Sequence, residues 1–440
     1  MALVDSIQNI FRIPELKKRL LFTLGMFAIY RLGEHIPAPG VNGQALAAAF
    51  STQAGTLFGL YDVFVGGAFS RATIFALGIM PYISASIILQ LLGVVVPYFE
   101  KLRKEGEEGQ KKITQYTRYG TVIISLIQSY AYALFLQHSG DIAGAPVVTS
   151  PGLGFILTMM VTQTAGTILV MWLGEQITER GIGNGISLII FINIIGRVPT
   201  DVQRVFESLR AGTTSLFPIL AGLALLIGVI AAVVAITQGT RKIPVQYAKR
   251  MVGRRMYGGA STYIPLKVNT AGVIPIIFAS SLMILPLTVA SFFPPGSPGQ
   301  DFIGQWLSPG RFIYEAMYFV IIVFFTYFYT AVVLNPQDVA ENMRKYGGFV
   351  PGIRPGKKTA EYIDRVLTRI TLPGAIALAV IAVLPDAILM NTNLPFRFGG
   401  TSVLIVVGVA LDTLQQIESH LLMRHYEGFV KKGRIRGRRA

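Results

Sequence analysis

"GGAFSRATIFALGIMPYISASIILQLL", residues 66–92, is apolar enough for a bilayer, yet it opens on two glycines and carries Arg71, Gly78 and Pro81 where a spanning helix should run on. A plain span needs about 20 mostly apolar residues and no such interruptions. Backbone groups in lipid must be paired inside the protein, so an interruption is tolerated only where it is buried in protein or lines a cavity. Gly66 and Gly67 can end one short helix, and Ser70 can cap the next with Arg71 at its boundary. The stretch then reads as a re-entrant half, a polar joint and a full span. One kinked, packed helix fits the same residues.

The chain around it is built for the same solvent. Of its 440 residues 52% are hydrophobic and 14% charged, where soluble domains carry about 25% charged; the mean hydropathy is +0.55. Ten apolar segments follow one another at 20–36, 74–96, 116–137, 153–173, 184–198, 215–237, 268–292, 312–334, 370–390 and 401–419. A shorter piece, 55–69, contains Asp62 and is too short to cross, as re-entrant segments are. Upstream, Leu3, Ile7, Ile10 and Phe11 share one helical face, which predicts an amphipathic helix on the membrane surface within 1–19. The basic residues before Leu20 are not followed by a small-residue cleavage pattern, so the first span is expected to be retained.

Charge orients the spans. The segments 1–19, 97–118, 174–182, 238–267, 336–369 and 421–440, all on one side of the expected bundle, hold 32 of the 39 lysines and arginines, including every lysine. Basic loops stay cytoplasmic, which puts both termini in the cytoplasm, as an even number of spans requires. The net charge of +16 suits anionic lipid headgroups or ribosomal RNA. Two basic loops, 238–267 and 335–369, mix basic and aromatic residues or carry Gly and Pro turn signals, and read as docking surfaces; the tail from 420 to 440 reads as a plain basic arm.

Several chemistries are excluded. Without cysteine there is no disulfide, iron–sulfur cluster or thiolate zinc site. His35, His138, His420 and His425 have no metal-ligand spacing. "PGIRPGKKT", 351–359, fails as a phosphate loop because Pro351 stands where glycine is needed and Lys358 where serine or threonine is needed. "GIGNG", 181–185, lacks dinucleotide spacing, and its glycines serve tight turning and close helix packing instead. No nucleophile–base pair or paired carboxylate is evident, so no enzyme and no cofactor is expected. Ile79 and Ile83 lie four apart with Ser84 and Ser86 nearby, and Ile186 and Ile190 repeat the spacing; packing alone explains such pairs.

"FALGIMPYISASIILQLL", "LRKEGEEGQKKITQYTRYGT", "MWLGEQITERGIGNGISLIIF", "PLKVNTAGVIPIIFASS", "FVPGIRPGKKTAEYID" and "FGGTSVLIVV" together resemble the SecY/Sec61-alpha family, in order and over nearly the whole chain. The resemblance implies an all-α polytopic membrane protein. Ten transmembrane helices would form two pseudo-symmetric inverted halves, 20–198 and 215–419, joined by an external connection at 199–214, with a re-entrant plug helix at 57–69. It implies the central subunit of a protein-conducting channel in the bacterial inner membrane, which passes unfolded preproteins across and releases transmembrane segments sideways through a lateral gate. Such a channel is passive, driven by a partner motor ATPase or by the ribosome. The implied partners are the SecE and SecG membrane subunits, the SecA motor, the ribosome, preprotein substrates and membrane lipids.

Residue by residue, the resemblance places a pore ring at Ile79, Ile83, Ile186, Ile190, Ile277 and Ile405. It places the plug and its hinge at Leu57, Phe58, Leu60, Asp62, Phe64, Gly66, Gly67 and Arg71, and polar members of the lateral gate at Ser84, Gln128 and Asn269. Motor or ribosome docking falls to Lys249, Arg254, Arg255 and Arg354. Two alternatives compete. An ion-coupled solute transporter with inverted repeats shares broken helices, but it should carry ionisable groups at mid-membrane, and here only Asp412 approaches that. A scaffold binding ribosomes or RNA accounts for the charge and not for the broken segment.

Overall fold

The computed structural model describes residues 13–43, 46, 57–138, 141–142, 145–212, 215–247, 250–252, 255–257, 261–290, 292–293, 297–391 and 399–432. The expected surface helix of the first twelve residues lies outside them. The chain is mostly helical and divides into two compact units, one of residues 1–199, 286–301 and 409–440, the other of 200–285 and 302–408.

The first unit opens with α1 (Pro14–Gly33), the short α2 (Leu57–Phe64), α3 (Met80–Val95) and α4 (Pro97–Lys104). α3 and α4 meet at 96°. Val96 causes the bend: the residue before a proline is pushed out of helical geometry, and its φ of −99° and ψ of 119° are extended. Pro97 then starts α4, where a missing N–H does no harm. α5 (Glu107–His138), a small hairpin of β1 (Asp141–Ile142) and β2 (Ala145–Pro146), α6 (Leu153–Arg180) and α7 (Gly185–Ile195) complete this stretch. The glycines of 181–185 do what their spacing predicts. Gly183 takes a left-handed φ of +86°, Asn184 caps α7 by accepting from the N–H groups of Ile186 and Ser187 at 3.1 and 3.2 Å, and a methyl at Gly185 would lie 2.0 Å from the Gly174 carbonyl oxygen. Helices α6 and α7 therefore touch backbone to backbone.

The remaining elements are α8 (Val198–Arg210), α9 (Leu216–Gln238), β3 (Thr240–Tyr247), β4 (Arg250–Val252), β5 (Arg255–Tyr257), β6 (Ser261–Lys267), α10 (Ile274–Ala290), α11 (Pro298–Trp306), α12 (Phe312–Val333), α13 (Pro336–Lys345), β7 (Gly348–Phe349), α14 (Lys357–Asn391) and α15 (Gly400–Lys432). In the second unit the two long basic loops fold together. β6, β3 and β7 form an antiparallel sheet in that order, with Thr240 opposite Lys267 and Gln246 opposite Phe349. Ile243, Val245 and Leu266 from the sheet meet Met343, Val350, Ile363 and Leu367 in a closed apolar core. These loops are thus a small body with its own interior rather than loose connections.

Each of the ten apolar segments carries a helix. Among the described residues seven helical stretches are long and apolar enough to cross a membrane, or eight counting the bent pair of α3 and α4, while Ile274–Pro286 is a shorter apolar helix. Several helices outrun the apolar run that marked them. α14 begins at Lys357, inside the expected loop, and α15 continues to Lys432 through much of the expected tail. Extending a helix pairs its own backbone, so it need not stop where hydropathy does. α3 does the reverse and starts at Met80, six residues after the expected span begins.

Helix α6 packs against irregular backbone near its middle, where a methyl at Gly166 would lie 1.9 Å from the Ile74 carbonyl oxygen; nothing lies within 4 Å of one at Gly154. Gly166→Ala should therefore destabilise the protein by about 1–3 kcal/mol through overpacking, whereas Gly154→Ala on the same helix should be neutral or mildly stabilising. Thermal unfolding of the two variants in detergent micelles checks this; equal melting points would mean the close crossing is absent.

Candidate functional site

Residues 65–79 form no helix or strand although helices flank them, so their backbone groups need partners. The end of α2 solves the first part. Gly66 has φ +70° and Gly67 +86°. The Gly67 N–H donates to the Asp62 carbonyl at 2.9 Å, the Gly66 N–H to Val63 at 3.2 Å and the Val65 N–H to Tyr61 at 3.2 Å. This is the paired-glycine helix ending in which a left-handed residue returns the chain onto its own last turn. The carbonyl of Phe64, the last residue of α2, is taken by the Asn193 side chain, whose Nδ2 donates to it at 2.9 Å. All four terminal carbonyls are thus satisfied.

The rest of the segment is paired from outside. Ala38 donates to the Ala72 carbonyl at 2.8 Å and Ile74 to that of Ile36 at 3.0 Å, which holds Ala72 in a left-handed φ of +46°. Tyr132 Oη donates to the Phe69 carbonyl at 2.7 Å, Gln163 Nε2 to that of Thr73 at 2.8 Å, and Tyr61 Oη to that of Leu77 at 2.9 Å. The Phe69 ring sits between those of Tyr61 and Tyr132, at 4.8 and 4.5 Å. Arg71 folds back so that Nε donates to the Gly67 carbonyl at 2.9 Å.

Two sequence expectations change here. Ser70 caps no helix: its N–H donates to Asp62 Oδ1 at 2.8 Å and its hydroxyl to the Gly67 carbonyl at 3.2 Å. Gly78 lies outside the helix, and Pro81 stands at its start rather than in its interior. Gly78 has φ +54° and ends the irregular segment, and Pro81 lies in the first turn of α3, where its fixed φ suits a helix start. The break falls nearer the span than the apolar pattern indicates, because apolar residues occupy both its sides.

The isoleucines divide between the units. Ile79 is the N-cap of α3 and Ile83 follows one turn later, its N–H donating to the Ile79 carbonyl at 3.2 Å; both are 2% exposed. Ile186 is half-buried and Ile190 fully buried, one turn apart on α7. These four belong to the first unit. Ile277 in the first turn of α10 and Ile405 on α15 belong to the second, and both are buried. Of the gate residues, Ser84 on α3 and Gln128 on α5 are buried in the first unit, and Asn269, buried before α10, in the second. Among the described residues nothing donates to the buried Gln128 Oε1 or Asn269 Oδ1.

Leu57, Phe58 and Leu60 lie on α2, and Asp62 and Phe64 on its buried last turn. Lys249 and Arg254 fall outside the described residues. Arg255 opens β5 opposite Val252. Arg354 is exposed in the turn before α14, its carbonyl accepting from Thr359 Oγ1 at 2.9 Å. Among the described residues no three His, Asp or Glu side chains gather as a metal ion would need. Tyr61, Tyr132, Gln163 and Asn193, which hold the broken segment, escape the sequence reading. Gln163 and Asn193 are signalled by being lone amides in apolar runs, since polar groups inside spans need a reason to be there; the tyrosines carry no such signal.

The protein's relatives bear on this arrangement. The SecY family model matches residues 73–414. A Mycobacterium tuberculosis protein named protein translocase subunit SecY is 48% identical over 98% of this chain and 99% of its own length. A solved structure described as that of a protein conducting channel superposes with a TM-score of 0.67 at 19% identity, over 94% of this chain and 96% of that one. Canine Sec61 in a ribosome–channel complex superposes with a TM-score of 0.63 at 18% identity, with the same coverage. The chain is a multi-pass membrane protein and belongs to the SecY family.

Proposed function

We propose that this chain is the central subunit of a protein-conducting channel, passing unfolded preproteins across a membrane and releasing apolar segments sideways into lipid. The observation that carries the reading is the short helix α2, tied by a glycine hinge to an irregular segment held by hydrogen bonds from its neighbours, immediately before the isoleucines of α3. A spanning anchor has no use for such a device. The ion-coupled transporter reading finds no support among the relatives, which are translocase subunits.

In this reading ten spans form two inverted halves in the bacterial inner membrane, with both termini cytoplasmic as the basic loops favour. Ile79, Ile83, Ile186, Ile190, Ile277 and Ile405 form the pore ring. An apolar constriction excludes water and ions by dewetting, and it offers a passing chain few hydrogen bonds to stop at. Residues 57–69 act as the plug, swinging on Gly66 and Gly67. Ser84, Gln128 and Asn269 lie in the seam of the lateral gate. Through that seam a segment partitions by its own balance: about 25 cal/mol gained per Å² of apolar surface moved to lipid, against about 2.5–3.5 kcal/mol for each charge brought to mid-bilayer. The work of pushing comes from partners, the SecA motor or the ribosome, docked on Lys249, Arg254, Arg255 and Arg354, with SecE and SecG completing the membrane complex. The folded sheet body gives the two basic loops a firm shape to present.

Ile79→Asn and Ile277→Asn should each raise the ion conductance of the resting complex in planar bilayers, because a polar side chain wets the constriction; an unchanged leak removes those residues from the ring. Arg354→Glu should abolish most motor-driven transport of a preprotein into vesicles while the channel still assembles in the membrane, and normal transport by that variant would count against docking at this turn.

A further inference from the structure

We propose that Asn193 and Arg197 are positioning residues that latch the short helix α2 in its resting place. The inference rests on the channel reading for its purpose and on contacts within the first unit for its content. Asn193, 1% exposed, uses both N–H bonds of its amide: Nδ2 donates to Tyr30 Oη at 2.8 Å and to the Phe64 carbonyl at 2.9 Å. The Phe64 carbonyl is the one acceptor at the end of α2 that the glycine turn leaves over. Arg197 Nη1 pairs with Asp62 Oδ2 at 3.3 Å, in a setting where Asp62 is buried and Arg197 half-buried. The last turn of α2 is therefore gripped at a carbonyl and at a carboxylate by groups four residues apart.

The hinge separates the bonds that must break from those that must not. If α2 swings on Gly66 and Gly67, the contacts of Asn193 with Phe64, of Arg197 and the Ser70 N–H with Asp62, and of Tyr61 with Leu77 are lost. The bonds from Tyr132 to Phe69 and from Gln163 to Thr73 lie beyond the glycines and keep the rest of the segment in place. Tyr30 is itself fixed, its ring stacked on Phe75 at 5.6 Å. Arg31, one residue on, reaches the Ile192 carbonyl at 2.6 Å while paired with the fully buried Glu34. The gripping side is thus rigid and the gripped side jointed.

The latch shares its helix face with two of the isoleucines. Positions 186, 190, 193 and 197 follow at intervals of four, three and four, one stripe of a helix, and Gly196, between α7 and Arg197, keeps helical dihedrals. A chain that pushes on Ile186 and Ile190 therefore moves the same face that grips α2. Opening of the constriction and release of the short helix are one event along α7 and the turn that follows it in this arrangement, rather than two gates that each need their own signal.

The chain has no cysteine, so Val63→Cys, on α2 and outside the latch, gives a single reporter. In proteoliposomes holding the complete complex, its reaction with a membrane-impermeant maleimide added from outside measures how often α2 leaves. Asn193→Ala, Arg197→Gln and Asp62→Asn should each speed labelling by about tenfold, the effect of losing one hydrogen bond to a buried or charged partner. The double variant Asp62→Asn with Arg197→Gln should label more slowly than the product of the two single effects, because both substitutions remove the Asp62–Arg197 pair. Labelling that stays at the parent rate in the single variants overturns the latch, and so does a lowered melting point with no change in labelling, which would make these contacts structural only. Resting conductance separates the latch from the channel reading: faster labelling without added leak keeps the latch and removes the sealing role from α2.

Discussion

Everything in the first unit is arranged around one requirement, that the backbone of residues 65–79 be hydrogen-bonded without water and without a helix. In hydrocarbon an unpaired N–H or C=O costs several kcal/mol, so an irregular stretch among apolar spans persists only if its neighbours supply partners at fixed points. They do so from four directions: Ile36 and Ala38 after α1, Tyr61 on α2, Tyr132 on α5 and Gln163 on α6, while Asn193 on α7 takes the Phe64 carbonyl just before the stretch begins. Each of those helices must then hold its distance and rotation for the bond to form. The break in one helix thereby sets the placement of the others.

Glycine makes the required distances possible. α6 approaches the broken segment so closely at Gly166, and α7 so closely at Gly185, that a methyl group would meet a carbonyl oxygen at 1.9 and 2.0 Å. Between lipid-facing helices there is little hydrophobic force to draw backbones together, so small residues at the crossing set how near they come. The second unit meets a different solvent at its basic end. There Ile243, Val245, Leu266, Met343, Val350, Ile363 and Leu367 build an interior of the soluble kind, which gives a charged surface a fixed shape.

The membrane class and the course of the helices were legible from hydropathy, since long apolar runs have few other uses. The short helix and its glycine ending were legible because Gly66 and Gly67 fall after a run too brief to cross. The start of α3 was not. Residues 74–79 are as apolar as the helix that follows them, and only the left-handed Gly78 and the placement of Pro81 in the first turn separate the two. The partners of the irregular backbone were hidden for a related reason: a tyrosine hydroxyl that bonds a carbonyl 63 residues away leaves no local pattern. Gln163 and Asn193 stood out only as amides among apolar neighbours. Two of the proposed docking residues, Lys249 and Arg254, lie outside the described structure, and motif resemblance alone carries them.

The stripe that runs along α7 and on through the turn to Arg197 sets two kinds of interaction in sequence, and their physics differs. Contacts of Ile186 and Ile190 are apolar and non-directional; such a surface can reshape around an occupant while losing little at each step. Contacts of Asn193 and Arg197 are directional, falling away steeply once distance and angle are lost. The first kind suits a seal that must fit side chains of every size, because it yields gradually. The second suits a catch that is either closed or open, because a buried donor pulled from its acceptor has no stable intermediate arrangement. With both kinds on one rigid stripe, a gradual displacement of the apolar part becomes an abrupt loss at the polar part. Gly66 and Gly67 add the last requirement, a joint at which the released helix can turn while the bonds from Tyr132 to Phe69 and from Gln163 to Thr73 hold the backbone beyond it.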